Sequence, residues 1–141
     1  MKVLIINGPN MNMLGVREPE IYGSLTYADL VDFISEHAVA TGVQVEFFQS
    51  NSEGAIIDAI QSAYKNADAI VINPAAYTHT SIAIADALRA VALPAVEVHL
   101  SDINSREAFR KISYTADACE KVISGEGFQG YAEALDFLSA R

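Results

Sequence analysis

Five short apolar runs of strand length punctuate the chain: Val3 to Ile6, Val43 to Phe48, Ala69 to Ile72, Ala95 to Val98, and a weaker one at Val122–Ile123. Between them, apolar residues recur three and four apart, the spacing of a helix that buries one face. The sets are Leu30, Phe33, Ile34 and Ala38; Ile56, Ile57, Ile60 and Tyr64; and Ile82, Ala85, Leu88 and Val91. Runs that are apolar at every position, rather than at alternate ones, belong to strands buried on both faces, which means a parallel sheet with helices on each side. Thr26 with Asp29 predicts a capped start for the first helix, Thr78 or Thr80 a cap for the third, and Pro94 its end.

The expected fold class is therefore α/β, a flavodoxin-like three-layer sandwich with a five-stranded parallel sheet. Its 141 residues suit a single domain over residues 1–141, large enough to bury a substantial core. Apolar residues make up 51% of the chain and charged ones 19%, a globular balance with no disordered or repetitive stretch. A net charge of −9 with scattered basic residues disfavours nucleic acid and anionic membrane as partners, because phosphate binding needs clustered Lys and Arg. Cys119 is the one cysteine, so no internal disulfide forms, and its simplest role is that of a small buried apolar residue. The opening apolar run is too short for a signal-peptide core or a membrane span, and the expected location is cytoplasmic.

Ligands of open parallel sheets bind beyond the carboxyl ends of the strands. That directs attention to Asn7–Ser24, Gln49–Gly54, Asn73–Thr80 and His99–Arg106. The first of these is about 18 residues long where two to six are usual, and its Gly15, Pro19 and Gly23 would let it fold over a ligand as a lid. Gly125-Glu126-Gly127-Phe128-Gln129-Gly130 matches a dinucleotide fingerprint as a string. It lacks the following βαβ unit and ribose-binding acid, so it reads as a loose turn into the C-terminal helix.

Four constellations can carry chemistry. Glu97 and His99, two apart on a strand, share a face, so the carboxylate can orient the imidazole and favour its charged form, as a general acid requires. The competing role for His99 is local hydrogen bonding. In the segment from Asn73 to Ser81, Asn73 and His79 can hold hydroxyls or a carboxylate near a helix start, or the hydroxyls there simply cap the helix. The stretch Ser105 to Arg110 reads as helical and puts Arg106 and Arg110, four apart, on one face, where either can grip an anion or serve a surface ion pair. Arg17 and Tyr22 share the lid. A tyrosine ionises near ~10, a nearby guanidinium lowers that by ~1–3 units, and a tyrosinate base becomes feasible near neutrality.

Taken together these stretches resemble the type II 3-dehydroquinases along practically the whole chain. The resemblance rests on Asn7-Gly8-Pro9-Asn10-Met11-Asn12-Met13-Leu14-Gly15 with Arg17-Glu18-Pro19 and Tyr22-Gly23, on Gln49-Ser50-Asn51-Ser52-Glu53-Gly54, on Asn73 to Ser81 with Asp86-Ala87-Leu88, and on Glu97-Val98-His99-Leu100-Ser101 through Arg106-Glu107-Ala108-Phe109-Arg110. It implies anti elimination of water from 3-dehydroquinate through an enolate to 3-dehydroshikimate, in the shikimate or quinate route, with neither metal nor cofactor. It further implies Tyr22 as the base, Arg17 as the residue that acidifies it, His99 as the acid oriented by Glu97, and Asn10 as the residue that positions a water at the enolate oxygen. Asn73, His79, Leu100, Ser101 and Arg110 match substrate-binding positions, the carboxylate being received at the Leu100 and Ser101 backbone. Asp86 matches an acid that reaches a neighbouring subunit's site in a homo-dodecamer built as a tetramer of trimers. Met11 and Met13 stand where leucine is usual, and Asp102 where asparagine is common.

Two rivals share the fold class. A response-regulator receiver needs acids at the ends of the first and third strands, which here read Asn7-Gly8-Pro9-Asn10 and Asn73-Pro74-Ala75. A flavodoxin-like binding module needs a Ser/Thr-rich phosphate loop after the first strand, and no Ser or Thr occurs there before Ser24. The lysines at 2, 65, 111 and 121 all fall away from the strand ends that matter, which argues against imine chemistry.

Overall fold

The computed structural model describes residues 1–16, 20 and 24–141. Arg17 and Tyr22, with the rest of 17–19 and 21–23, lie outside the described residues. Strands β1 (Lys2–Asn7), β2 (Gln44–Gln49), β3 (Ala69–Asn73), β4 (Ala95–His99) and β5 (Lys121–Ser124) form one sheet in the order β2-β1-β3-β4-β5. Every neighbouring pair is parallel, as the doubly apolar runs require. The helices are α1 (Tyr27–Thr41), α2 (Glu53–Ala63), α3 (Ile82–Val91) and α4 (Gln129–Ser139).

Alternate residues of the strands feed two separate cores. Val3, Ile5, Val71, Val96 and Val98 point to the face covered by α1 and α4, where they meet Leu30, Ile34, Tyr131 and Leu135. Leu4, Ile6, Ile70 and Ile72 point to the other face and meet Ile56 and Ile60 of α2 and Ile84 and Leu88 of α3. Each such side chain gains about 1.5–3 kcal/mol on leaving water, so the layers bind the sheet firmly from both sides. The run at Val122–Ile123 is weak because β5 is an edge strand, with Ile123 buried and Val122 exposed.

Thr26 and Asp29 form the expected capping box: Thr26 Oγ1 accepts from Asp29 N–H, and Asp29 Oδ2 accepts from Thr26 N–H. The third helix corrects its expectation. Its cap is Ser81, whose Oγ accepts from Ile84 N–H at 3.0 Å. Thr78 is in a 3-10 turn (Ala75–His79) and sends its hydroxyl into the interior instead. That helix ends at Ala92, in left-handed backbone (φ 55°), two residues before Pro94. The Pro94 carbonyl accepts from Ile70 N–H and so opens the β3–β4 ladder. Tyr64 falls just past α2 and is exposed. Gly125 and Gly127 take positive φ in the turn before α4, and Gly130 sits where an added Cβ would press on Val98 and Ile123.

The helix expected around Arg106 and Arg110 does not form. Two 3-10 turns, Ile103–Ser105 and Ala108–Lys111, occupy that stretch, and Asp102 starts the first by accepting from Asn104 N–H. Asp, Asn and Ser compete for backbone donors in this way and favour turns over a continuous helix.

Candidate active site

The carboxyl ends of β1, β3 and β4 converge, and the loops leaving them are tied together by backbone. Gly8 N–H donates to the Asn73 carbonyl at 2.8 Å, and a Cβ at Gly8 would lie 2.6 Å from the Pro74 carbonyl oxygen, so only glycine permits this approach. Asn10 turns the chain in left-handed backbone (φ 69°), a conformation asparagine tolerates. Its N–H donates to Asn51 Oδ1 at 3.0 Å, and Gln49 Nε2 donates to the Gly8 carbonyl. The Gln49–Asn51 segment after β2 thus braces the Asn10 turn.

Two adjoining clefts open there. One, with about 390 Å³ of empty space, is lined by Pro9, Asn10, Met11, Leu14, Asn73, Ala75 and Leu100. The other, with about 350 Å³, is lined by Pro9, Asn10, Ala75, Ala76, His79, Arg106 and Arg110. Loss of the helix therefore does not separate Arg106 from Arg110, since the turns deliver both to one wall beside His79.

Asn73 is buried at the end of β3, its Oδ1 accepting from Ala75 N–H and its Nδ2 donating to the Tyr131 hydroxyl at 3.1 Å. That hydroxyl donates to Asn7 Oδ1 at 2.5 Å, and Asn7 Nδ2 donates to the Tyr27 hydroxyl at 3.4 Å. Burial pushes the phenols of both Tyr27 and Tyr131 upward, so they remain neutral.

His79 Nδ1 lies 2.6 Å from the Ile112 carbonyl. A carbonyl only accepts, so Nδ1 carries the proton and Nε2 is the ring's acceptor. Burial lowers the His79 pKa, and the charges of His99 and Arg110 act in the same direction against the Ile112 bond, which keeps the ring neutral. Arg110 Nε approaches Glu107 Oε2 at 2.7 Å without the alignment of a hydrogen bond, and its guanidinium lies over the Phe109 ring.

Glu97 and His99 are both buried at the end of β4, with His99 Nε2 2.7 Å from Glu97 Oε2. The side-by-side arrangement expected from their spacing is present. Burial alone would raise the Glu97 pKa, but the hydrogen bond and charge of His99 and the hydroxyls of Thr115 and Ser113 outweigh it and hold it below its ordinary value. Leu100 and Ser101 follow directly, their carbonyls taken by Gly127 N–H and Ser124 Oγ. Asp86 lines neither cleft. It is on the solvent face of α3, 3.5 Å from Arg89.

Sequence reasoning missed Thr78, Ser113, Thr115, Tyr131 and Asn7 as parts of this site, and gave Arg106 no settled place. Small polar residues in a loop carry no spacing signal, and only tertiary docking brings them to Glu97 and Asn73. Cys119 is partly buried, its thiol pushed up to about 12 by burial and by the charge of Glu97. Among the described residues no group of three or more His, Cys, Asp or Glu has an arrangement that could hold a metal, and no helix is long and apolar enough to cross a membrane.

Comparison with known proteins agrees with this geometry. The family described as dehydroquinase class II matches residues 1–139. A 3-dehydroquinate dehydratase of Clostridium acetobutylicum is 54% identical over 138 residues, covering 98% of this chain and 96% of the relative. One from Geotalea daltonii is 58% identical over 135 residues, covering 96% and 94%. The crystal structure of the type II dehydroquinase from Butyrivibrio crossotus superposes with a TM-score of 0.97 at 53% identity, covering 99% of this chain and 97% of that one. With the family match spanning residues 1–139 and relatives more than half identical over nearly the whole chain, the chain belongs to the class II dehydroquinase family.

Proposed function

We propose that this protein is a 3-dehydroquinate dehydratase of the shikimate pathway, which eliminates water from 3-dehydroquinate through an enolate to give 3-dehydroshikimate. The observation that carries the reading is the buried Glu97–His99 pair at the end of β4, next to clefts lined by Asn10, Asn73, His79 and Arg110. Enolate formation beside a ketone needs a base, a group to stabilise the oxyanion and an acid for the departing hydroxyl.

Tyr22, acidified by Arg17, takes the proton beside the ketone. Asn10 holds a water against the enolate oxygen. His99 donates its Nδ1 proton to the leaving hydroxyl, the carbon–oxygen bond electrons go to that oxygen, and water departs. Glu97, bonded to Nε2, holds the ring in place and aims it. The backbone N–H groups of Leu100 and Ser101 receive the substrate carboxylate, while Asn73, neutral His79 and Arg110 hold the remaining oxygens. This chemistry uses no metal and no cofactor. The working form is a cytoplasmic homo-dodecamer, a tetramer of trimers in which Asp86 reaches a neighbouring subunit's site. Its support in this chain is that Ile82, 59% exposed, and Asp86 lie one turn apart on the outer face of α3.

Adding 3-dehydroquinate to purified protein and following conjugated-enone absorbance tests the reading. A catalysed rise is expected, and no rise above the uncatalysed rate contradicts it.

A further inference from the structure

We propose that Thr78, Ser113 and Thr115 are positioning residues whose hydroxyls form a cage around Glu97 and so set the charge and aim of the Glu97–His99 pair. The proposal rests on the reading of His99 as the acid. Glu97 is fully buried, and an ionised carboxylate away from water is stable only when its lone pairs are filled. Its two oxygens offer about four acceptor sites. Oε2 accepts from Thr78 Oγ1 at 3.0 Å, Ser113 Oγ at 2.9 Å and His99 Nε2 at 2.7 Å, and Oε1 accepts from Thr115 Oγ1. Hydroxyls thus supply three of the four donors.

Proton counting shows why hydroxyls suit this place. Each carries one proton, yet Thr78 Oγ1 also lies 2.6 Å from both Ser113 Oγ and Thr115 Oγ1. Every contact cannot be a hydrogen bond at once, so the protons divide between the carboxylate and the neighbouring hydroxyls. While His99 is an imidazolium, it supplies much of the stabilisation of Glu97. Once its Nδ1 proton has gone to the leaving oxygen, the carboxylate faces a neutral ring, and the hydroxyls can turn fully to it. A methyl group cannot respond in this way.

One strap, residues 112–116, carries Ser113 and Thr115 and docks on the turn that carries Thr78. Tyr114 N–H donates to the Thr78 carbonyl at 2.8 Å and Ala116 N–H to Ser113 Oγ at 3.1 Å, while the Ile112 carbonyl fixes the His79 tautomer. The titratable groups facing Glu97 are His99 on its own strand, His79 on the turn before α3, and the Cys119 thiol. The charge of Arg110 acts on His79 as well.

The test is the pH dependence of kcat and KM for 3-dehydroquinate in Thr115→Val, Ser113→Ala and Thr115→Ser, with Glu97→Gln and His99→Gln in parallel. Loss of a donor destabilises ionised Glu97, so it holds its proton to higher pH and the acid-side limb moves up. Thr115→Val is expected to lower kcat by on the order of tenfold or more, with KM little changed. The acid limb is expected to rise by about one pH unit, and Thr115→Ser to restore both. If Thr115→Val does not fold, Ser113→Ala, with the same expected shift, decides. A folded Thr115→Val or Ser113→Ala variant with an unmoved limb overturns the cage, provided Glu97→Gln and His99→Gln are impaired. Wild-type turnover in those two would instead overturn the acid role on which it stands.

Discussion

At the scale of single residues, the account turns on how a protein keeps charge where water is absent. Glu97 takes its proton at lower pH in the folded protein than its ordinary value near 4.5. Below 4.5 the unfolded chain binds a proton that the native one refuses, so native stability from this group is present above that pH and lost as pH falls through the lower folded value. We expect Glu97→Gln to flatten the acid arm of a plot of urea-unfolding free energy against pH. An arm as steep as wild type contradicts the ionised, buried state. Tyr22→Phe and Arg17→Ala should each lower turnover by a factor of about 10²–10⁴, and the basic-side limb should move upward in Arg17→Ala. A Tyr22→Phe enzyme with most of its wild-type turnover identifies the wrong base. The Glu97–His99 pair was legible in the sequence because residues two apart on a strand share a face. The hydroxyls around it were not, since Ser113 and Thr115 are 16 and 18 positions from Glu97 and reach it through loop docking.

At the scale of elements, the site depends on loops held by backbone and by one buried phenol. Gly8→Ala would drive a Cβ into the Pro74 carbonyl, forcing apart the β1 and β3 loops that carry Asn10 and Asn73. The expected cost is about 1–3 kcal/mol of stability together with a fall in kcat/KM, measured by thermal melting and steady-state kinetics. A Gly8→Ala variant with wild-type values for both shows that the close approach is dispensable. Tyr131→Phe leaves Asn7 Oδ1 without its donor and Asn73 Nδ2 with the weaker Met11 Sδ acceptor at 3.5 Å in place of the phenol oxygen. We expect a lower urea midpoint at unchanged slope, by about 1–3 kcal/mol. Strands and helices were readable because burial on both faces makes a strand apolar throughout, while burial on one face gives a helix its 3.6-residue period. Boundaries were less so where one short polar side chain competes with another: Ser81 caps α3 while Thr78 is drawn toward Glu97, and Asp102 opens a turn where a helix was expected.

At the scale of the whole molecule, two layers of helices fix the sheet and leave its carboxyl end to chemistry. Asp86 and Ile82 are exposed on the outer face of α3, where Asp86 meets Arg89 and lines neither cleft of its own subunit. Activity is therefore expected to fall on dilution, or in mild denaturant, before secondary structure is lost, and Asp86→Ala should lower turnover while melting like wild type. A fully active monomer on a sizing column contradicts the cross-subunit role. The central claim is that water leaves through an enolate, with Tyr22 as the base, His99 as the acid and no covalent bond to the protein. Lys2 is paired with Glu46 at 2.9 Å, and Lys65, Lys111 and Lys121 are exposed, so none is the buried amine that imine chemistry requires. Intact mass after borohydride is added during turnover of 3-dehydroquinate tests that claim most directly: an unchanged protein mass is expected, and a gain of substrate-sized mass on one lysine would contradict it.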